Sequence, residues 1–184
     1  MTYAEICNCV YSLKKRFKNE DAISIAESLG IIVKFDSLGT SPGSLKGYFI
    51  EYRKIPVITI NGDLPDILQR IIAAHELCHA LNHRNCELLP FHDISLFDET
   101  SILEKEANMF AAEFLLDDEE VIDVLNQDYT FFSAAILGVP PELLDFKFRV
   151  MKWKGYKLVE PPITARSNFL RDVEVPYGSD DYSC

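Results

Sequence analysis

At 184 residues the chain is long enough for a domain with its own core, and its 48% hydrophobic and 26% charged residues are ordinary globular values. A net charge of −11 argues against a general nucleic-acid binder, whose footprint is basic, and suits a basic protein partner. The cysteines Cys7, Cys9, Cys78, Cys86 and Cys184 are odd in number and form no C-x-x-C pair, which argues against a disulfide framework and for a reducing cytoplasm.

The start, Met1-Thr2-Tyr3-Ala4-Glu5, has neither a basic nor an apolar signal region, and no apolar run approaches the roughly 20 residues of a membrane span. Residues 2–18 predict an amphipathic helix, with Ile6, Val10, Leu13 and Phe17 on one face and Lys14, Lys15, Arg16 and Lys18 as a solvated cluster off it. A second helix is predicted over Asp21–Leu29, closed by Gly30. Ile31–Phe35 is β-rich and predicts a strand, and residues 37–43 carry Gly39, Pro42 and Gly43 and predict a loop. Leu45–Tyr52 and Ile55–Ile60 predict two more strands joined by Arg53-Lys54 as a hairpin, with Ile55–Ile60 expected at the sheet edge.

Asp63-Leu64-Pro65-Asp66 reads as a helix start, with Asp63 as N-cap and an early proline. Ile67, Leu68, Ile71, Ile72, Ala74, Leu77, Cys78 and Leu81 then recur at helical spacing, which predicts a mostly buried helix. Residues 82–98, with Pro90 and His92, predict a loop. Helices are expected over about residues 99–116 and, more acidic, 117–125. Residues 130–138 and 142–153, separated by Val139-Pro140-Pro141, predict an αα-hairpin. The sum is an α+β fold with a small, mainly antiparallel three-stranded sheet flanked by helices. Residues 1–126 would form the core, 127–159 a helical hairpin packed on it, and 160–184 a loosely held tail.

The buried helix contains His75-Glu76-Leu77-Cys78-His79, an H-E-x-x-H motif. Residues four apart on a helix share a face, so the two imidazoles can bind one metal ion while Glu76 reaches a water on it. A catalytic zinc takes three protein ligands. A histidine six residues beyond the second ligand would fall at position 85, which is Asn85. His83 lies roughly 12 Å along the helix from His75 at about 1.5 Å per residue, too far to share the ion, and is expected either behind a ligand or at the surface. Cys78 is better explained as a small residue that lets another helix pack close.

The expected third ligand is Glu106, which sits three residues after Leu103 and four before Phe110 and so lies on the apolar face of the next helix. A carboxylate there needs a positive partner. Glu104, about 200° away around the helix, is expected to face solvent, and Glu113 is the second choice. For a donor that steadies the oxyanion, Tyr48, His83 and His92 are candidates.

H-E-L-C-H-A-L-N-H followed by E-K-E-A-N-M-F-A-A-E-F-L-L resembles the ImmA/IrrE family of metallo-endopeptidases over roughly residues 21–157. The resemblance implies His75, His79 and Glu106 as zinc ligands, Glu76 as catalytic acid/base, and a gluzincin-like peptidase core. It implies one zinc per chain, with manganese a possible substitute, and a helix-turn-helix repressor of a phage, mobile element or stress response as substrate. The family often closes the second helix with a proline, where this chain has Asp117-Asp118. The tail from Glu160 matches no pattern.

Two other readings exist. One is a non-cleaving zinc-fold protein, acting as an anti-repressor or a toxin–antitoxin partner. The intact Glu76 speaks against it. The other is direct DNA binding through Ala134–Leu144, which looks like a helix-turn-helix core followed by Lys147, Arg149, Lys152, Lys154 and Lys157. The overall acidity favours a packed αα-hairpin and no direct contact with nucleic acid.

Overall fold

In the computed structural model, residues 1–84, 96–99, 101–126 and 133–158 are described. Helix α1 (Tyr3–Arg16) begins with a capping box. Thr2 Oγ1 accepts from the Glu5 amide, and the Glu5 carboxylate accepts from the Thr2 amide. Its apolar stripe of Ile6, Val10 and Leu13 is buried as the spacing predicts. Helix α2 (Ala22–Ser28) is capped by Asp21, whose carboxylate accepts from the Ser24 amide, and ends before Gly30 at φ 78°, a left-handed turn that glycine makes without strain.

Three strands follow: β1 (Ile32–Asp36), β2 (Gly47–Tyr52) and β3 (Ile55–Asn61). The sheet order is β1-β3-β2, so β3 is central and not at the edge as the sequence suggested. β2 and β3 form the predicted hairpin, but β1 pairs with β3 in parallel. The sheet is therefore mixed rather than mainly antiparallel. Helix α2 precedes β1, and the long loop after β1 carries the chain across to the far edge, where β2 starts. Buried Asn61 holds that loop, its Nδ2 donating to the carbonyls of Gly39 and Leu45 at 2.7 and 2.8 Å.

Helix α3 (Asp66–Asn82) carries the H-E-x-x-H motif and packs on β2 and β3 with one side and on α4 (Ile102–Leu115) with another. It starts at Asp66 with Pro65 in the capping position, and no side chain caps it. The expected cap, Asp63, instead accepts from Ser37 Oγ and the Gly39 amide and secures the loop. Tertiary donors have outcompeted the local capping site.

α1 and α7 (Pro141–Trp153) also pack on α4. Between α4 and α7 lie α5 (Asp118–Asn126) and α6 (Ser133–Ile136). α6 falls within the helix expected over residues 130–138, the start of which lies outside the described residues. Residues 127–132 and the tail over 160–184 lie outside the described residues.

A ring of four charges ties α7 to α4 and α5. Lys147 Nζ donates to Glu113 at 2.7 Å and pairs with Asp118 at 2.6 Å, and Lys154 Nζ reaches the other oxygens of the same carboxylates at 2.6 and 2.7 Å. Lys147 is buried and Glu113 nearly so, which removes Glu113 from consideration as a metal ligand. Arg149 is held by Glu99 and Asp145. Three of the cations that followed the helix-turn-helix-like segment are thus engaged within the fold.

The sheet meets the motif helix at Gly47. A Cβ there would collide with Ile72 Cγ2 and come within 2.9 Å of the Thr59 carbonyl oxygen, with Glu76 Cγ at 3.8 Å. Gly47→Ala should therefore cost about 1–3 kcal/mol in urea unfolding through overpacking. Unchanged stability would mean that β2 shifts freely from α3. Lys147→Ala removes a buried cation, leaves two partly buried carboxylates facing one cation and should destabilise by about 3 kcal/mol, the scale for breaking a buried ion pair, measured by the same unfolding titration.

Candidate metal centre

His75, Glu76 and His79 lie side by side on α3, all buried. His75 Nε2 and His79 Nε2 are 3.1 Å apart and face the same point. The carboxylate that joins them is Glu104. Its Oε2 is 3.0 Å from His75 Nε2 and its Oε1 is 3.4 Å from His79 Nε2. The ligand atoms of His75, His79 and Glu104 lie within 4.8 Å of one another, a group able to hold one metal ion.

Glu106, the expected third ligand, is not in this group. Its Oε2 is 3.0 Å from His83 Nε2, and its Oε1 meets the α-amino group of Met1. Glu104, expected in solvent, is 3% exposed, and Glu106 is 6% exposed. The difference from the expected placement has a physical cause. The apolar-face argument assumes a helix with one buried side and one wet side. α4 is enclosed by α3, α1 and α7, so residues nearly opposite on its wheel are both interior. Burial alone could not choose between the two glutamates.

The contacts across the seam do choose. Asn108 is four residues after Glu104 and shares its face. Asn108 Oδ1 accepts from His75 Nδ1 at 3.0 Å, while its Nδ2 donates to the Asp98 carbonyl at 2.9 Å. The face of α4 that touches His75 is therefore the Glu104–Asn108 face. Asn108 is a partner of His75 that the sequence reading missed.

The donor set suits a divalent metal such as zinc, with two imidazole nitrogens and one carboxylate in a dry setting. Burial is the main influence on His79, pushing its imidazole down to about 4 against the opposing pull of Glu104, so the ring is neutral at pH 7 and keeps one lone pair. Burial pushes the Glu104 carboxyl up, but hydrogen bonds with His75 and His79 more than offset this and hold it well below the usual carboxylate range. It is an anion at neutral pH. Cys78 is fully buried and its thiol is pushed well above the ordinary range by burial, which suits a packing residue and not a thiolate ligand.

Of the candidate oxyanion donors, the two among the described residues are not placed at the group. Tyr48 follows Gly47 in β2, and strand alternation puts it on the face opposite the one that meets α3. His83 is buried between His79 and Glu106. His92 lies outside the described residues.

Two packed helices that present two histidines and a glutamate to one point, with a further glutamate beside the first histidine, define a candidate metallohydrolase site. Comparison with known proteins agrees with that class. Residues 26–149 match the IrrE N-terminal-like domain (Peptidase_M78), and the chain belongs to this peptidase family. The matched span contains the sheet, both site helices and most of α7. The chain is also 30% identical over 146 residues to the uncharacterized immunity region protein 2 of Bacillus phage phi105, covering 79% of this chain and 90% of that relative. No solved structure matches. Among the described residues, no helix is long and apolar enough to cross a membrane.

The geometry makes Glu104 the discriminating residue. Glu104→Ala should lose stoichiometric zinc on dialysis, since two protein ligands rarely retain the ion. Metal analysis showing a full equivalent in that variant would return the third position to Glu106.

Proposed function

We propose that this chain is a zinc-dependent endopeptidase of the cytoplasm, with a gluzincin-like core over residues 1–126, that cuts a helix-turn-helix transcriptional repressor. Cleavage would relieve repression of a phage, mobile element or stress regulon. The observation that carries the reading is the convergence of His75, His79 and Glu104 beside Glu76 on the same buried helix. Family membership and a relative from a phage immunity region support it.

His75, His79 and Glu104 would hold the ion, with manganese as a substitute for zinc. Bound zinc supplies Lewis acidity, which lowers the pKa of a coordinated water from roughly 15.7 to about 7. Glu76 is the proton carrier. It accepts the proton released as water attacks the peptide carbonyl and returns it to the departing amine nitrogen.

The substrate segment would lie extended along β2. Among the described residues β2 pairs only with β3, so its outer edge can accept a further strand. β2 begins at Gly47, against Ile72 and close to Glu76, which brings a strand added there past the reacting groups.

The net charge of −11 supports a basic partner, and DNA-binding repressors are basic. The internal pairing of Lys147, Arg149 and Lys154 supports a role for the chain away from DNA itself.

The test is cleavage. The zinc-loaded chain is mixed with the helix-turn-helix protein encoded beside it, and separately with casein. One discrete cut in the regulator with casein intact is the expected result. Glu76→Gln should retain zinc and slow that cut by about 10²–10⁴-fold, the usual contribution of general acid–base catalysis. An untouched regulator, with Glu76→Gln equal to wild type in relieving repression, would instead favour a non-cleaving zinc-fold partner. Association should weaken as salt rises, because exposed charges are screened over about 8–10 Å at physiological ionic strength.

A further inference from the structure

We propose that His83 and Glu106 act as a positioning pair for His79, fixing the tautomer and ring orientation in which Nε2 faces the metal site. The inference rests on the metal reading given above. It assigns a role to two buried residues that the ligand set leaves out.

The argument follows the protons. His83 lies one turn beyond His79 on the same face, and the two rings meet edge to face with centroids 4.9 Å apart. His83 Nδ1 is 2.9 Å from His79 Nδ1, and His83 Nε2 is 3.0 Å from Glu106 Oε2. A carboxylate can only accept, so His83 must donate from Nε2. A metal-binding His79 is a neutral ring whose single proton cannot sit on the nitrogen that faces the metal, so it lies on Nδ1 and is donated to His83 Nδ1. With the proton on Nε2, His83 Nδ1 is a lone pair, and only an N–H on His79 Nδ1 can fill the 2.9 Å contact. With its one ring proton on Nδ1, a metal-binding His79 keeps its lone pair on Nε2. That nitrogen lies 3.1 Å from His75 Nε2 and 3.4 Å from Glu104 Oε1.

His75 reaches the same state by a shorter route, through Asn108 Oδ1 on its Nδ1. The two ligands are thus backed differently. One has a neutral amide, and the other has an imidazole ending on a carboxylate. A carboxylate behind a metal-binding histidine raises its basicity as well as orienting it, and losing such partners typically costs 10–100-fold in metal affinity.

Zinc affinity is measured by competition with a chromophoric chelator for wild type, His83→Leu, His83→Asn and Glu106→Gln. Thermal melting of the metal-free proteins reports folding. His83→Leu should bind about 10–100-fold more weakly while folding. His83→Asn restores an acceptor near His79 Nδ1 and should recover much of that loss. Glu106→Gln should fall between His83→Leu and wild type. Wild-type affinity in His83→Leu overturns the proposal, and so does a loss in His83→Asn equal to that in His83→Leu, which would mark a purely structural role.

Nitrogen–proton correlations of ¹⁵N-histidine in the zinc-loaded wild-type chain give a second measurement that needs no variant. Protons on His79 Nδ1 and His83 Nε2 are expected. A proton on His83 Nδ1 overturns the assignment. A wild-type chain that takes up no zinc overturns the metal reading and this inference with it, whereas zinc uptake unaffected by His83→Leu overturns this inference alone.

Discussion

Everything in this molecule depends on keeping several polar groups dry between α3 and α4. His75, Glu76, His79, His83, Glu104, Glu106 and Asn108 are all buried at or beside that seam. A buried polar atom without a partner costs about 1–3 kcal/mol, and more if charged. Placing the groups on two rigid helices, with each side chain fixed by the next, meets that cost and leaves three donor atoms aimed at one point.

The surrounding elements serve the seam. The sheet presses Gly47 against Ile72, and no larger residue would let the strand come so close. On the other side α1 and α7 close around α4, and α7 is held by paired lysines and carboxylates that alternate around a ring. Such a ring contributes little net stability compared with apolar packing, but its alternating charges accept only one docking of α7. The enclosure of α4 on several sides is what allows its two glutamates to take different partners. One faces the histidine pair, and the other sits a step further out.

The mixed sheet also has a functional consequence. Pairing β1 with β3 in parallel fills the centre and pushes β2 to the edge beside α3. Had the three strands simply followed one another as a meander, with β2 in the middle, the free edge near the motif helix would have belonged to β3. The long loop between β1 and β2, secured by Asn61 and Asp63, makes the observed order possible.

The sequence by itself determined the local facts. The helices, the strands within a residue or two, the hairpin and the pairing of His75 with His79 all follow from periodicity, because neighbours on one element are fixed by the pitch of that element. The likeness of the two motifs to one peptidase family was legible for the same reason, since each motif sits within a single helix. Only the tertiary structure decided which strand lies at the edge, which glutamate completes the group and what stands behind each histidine. Those depend on how one element is rotated and enclosed against others. On a helix buried all round, burial no longer marks a unique face, so Glu104 and Glu106 could be told apart only by the partners across the seam.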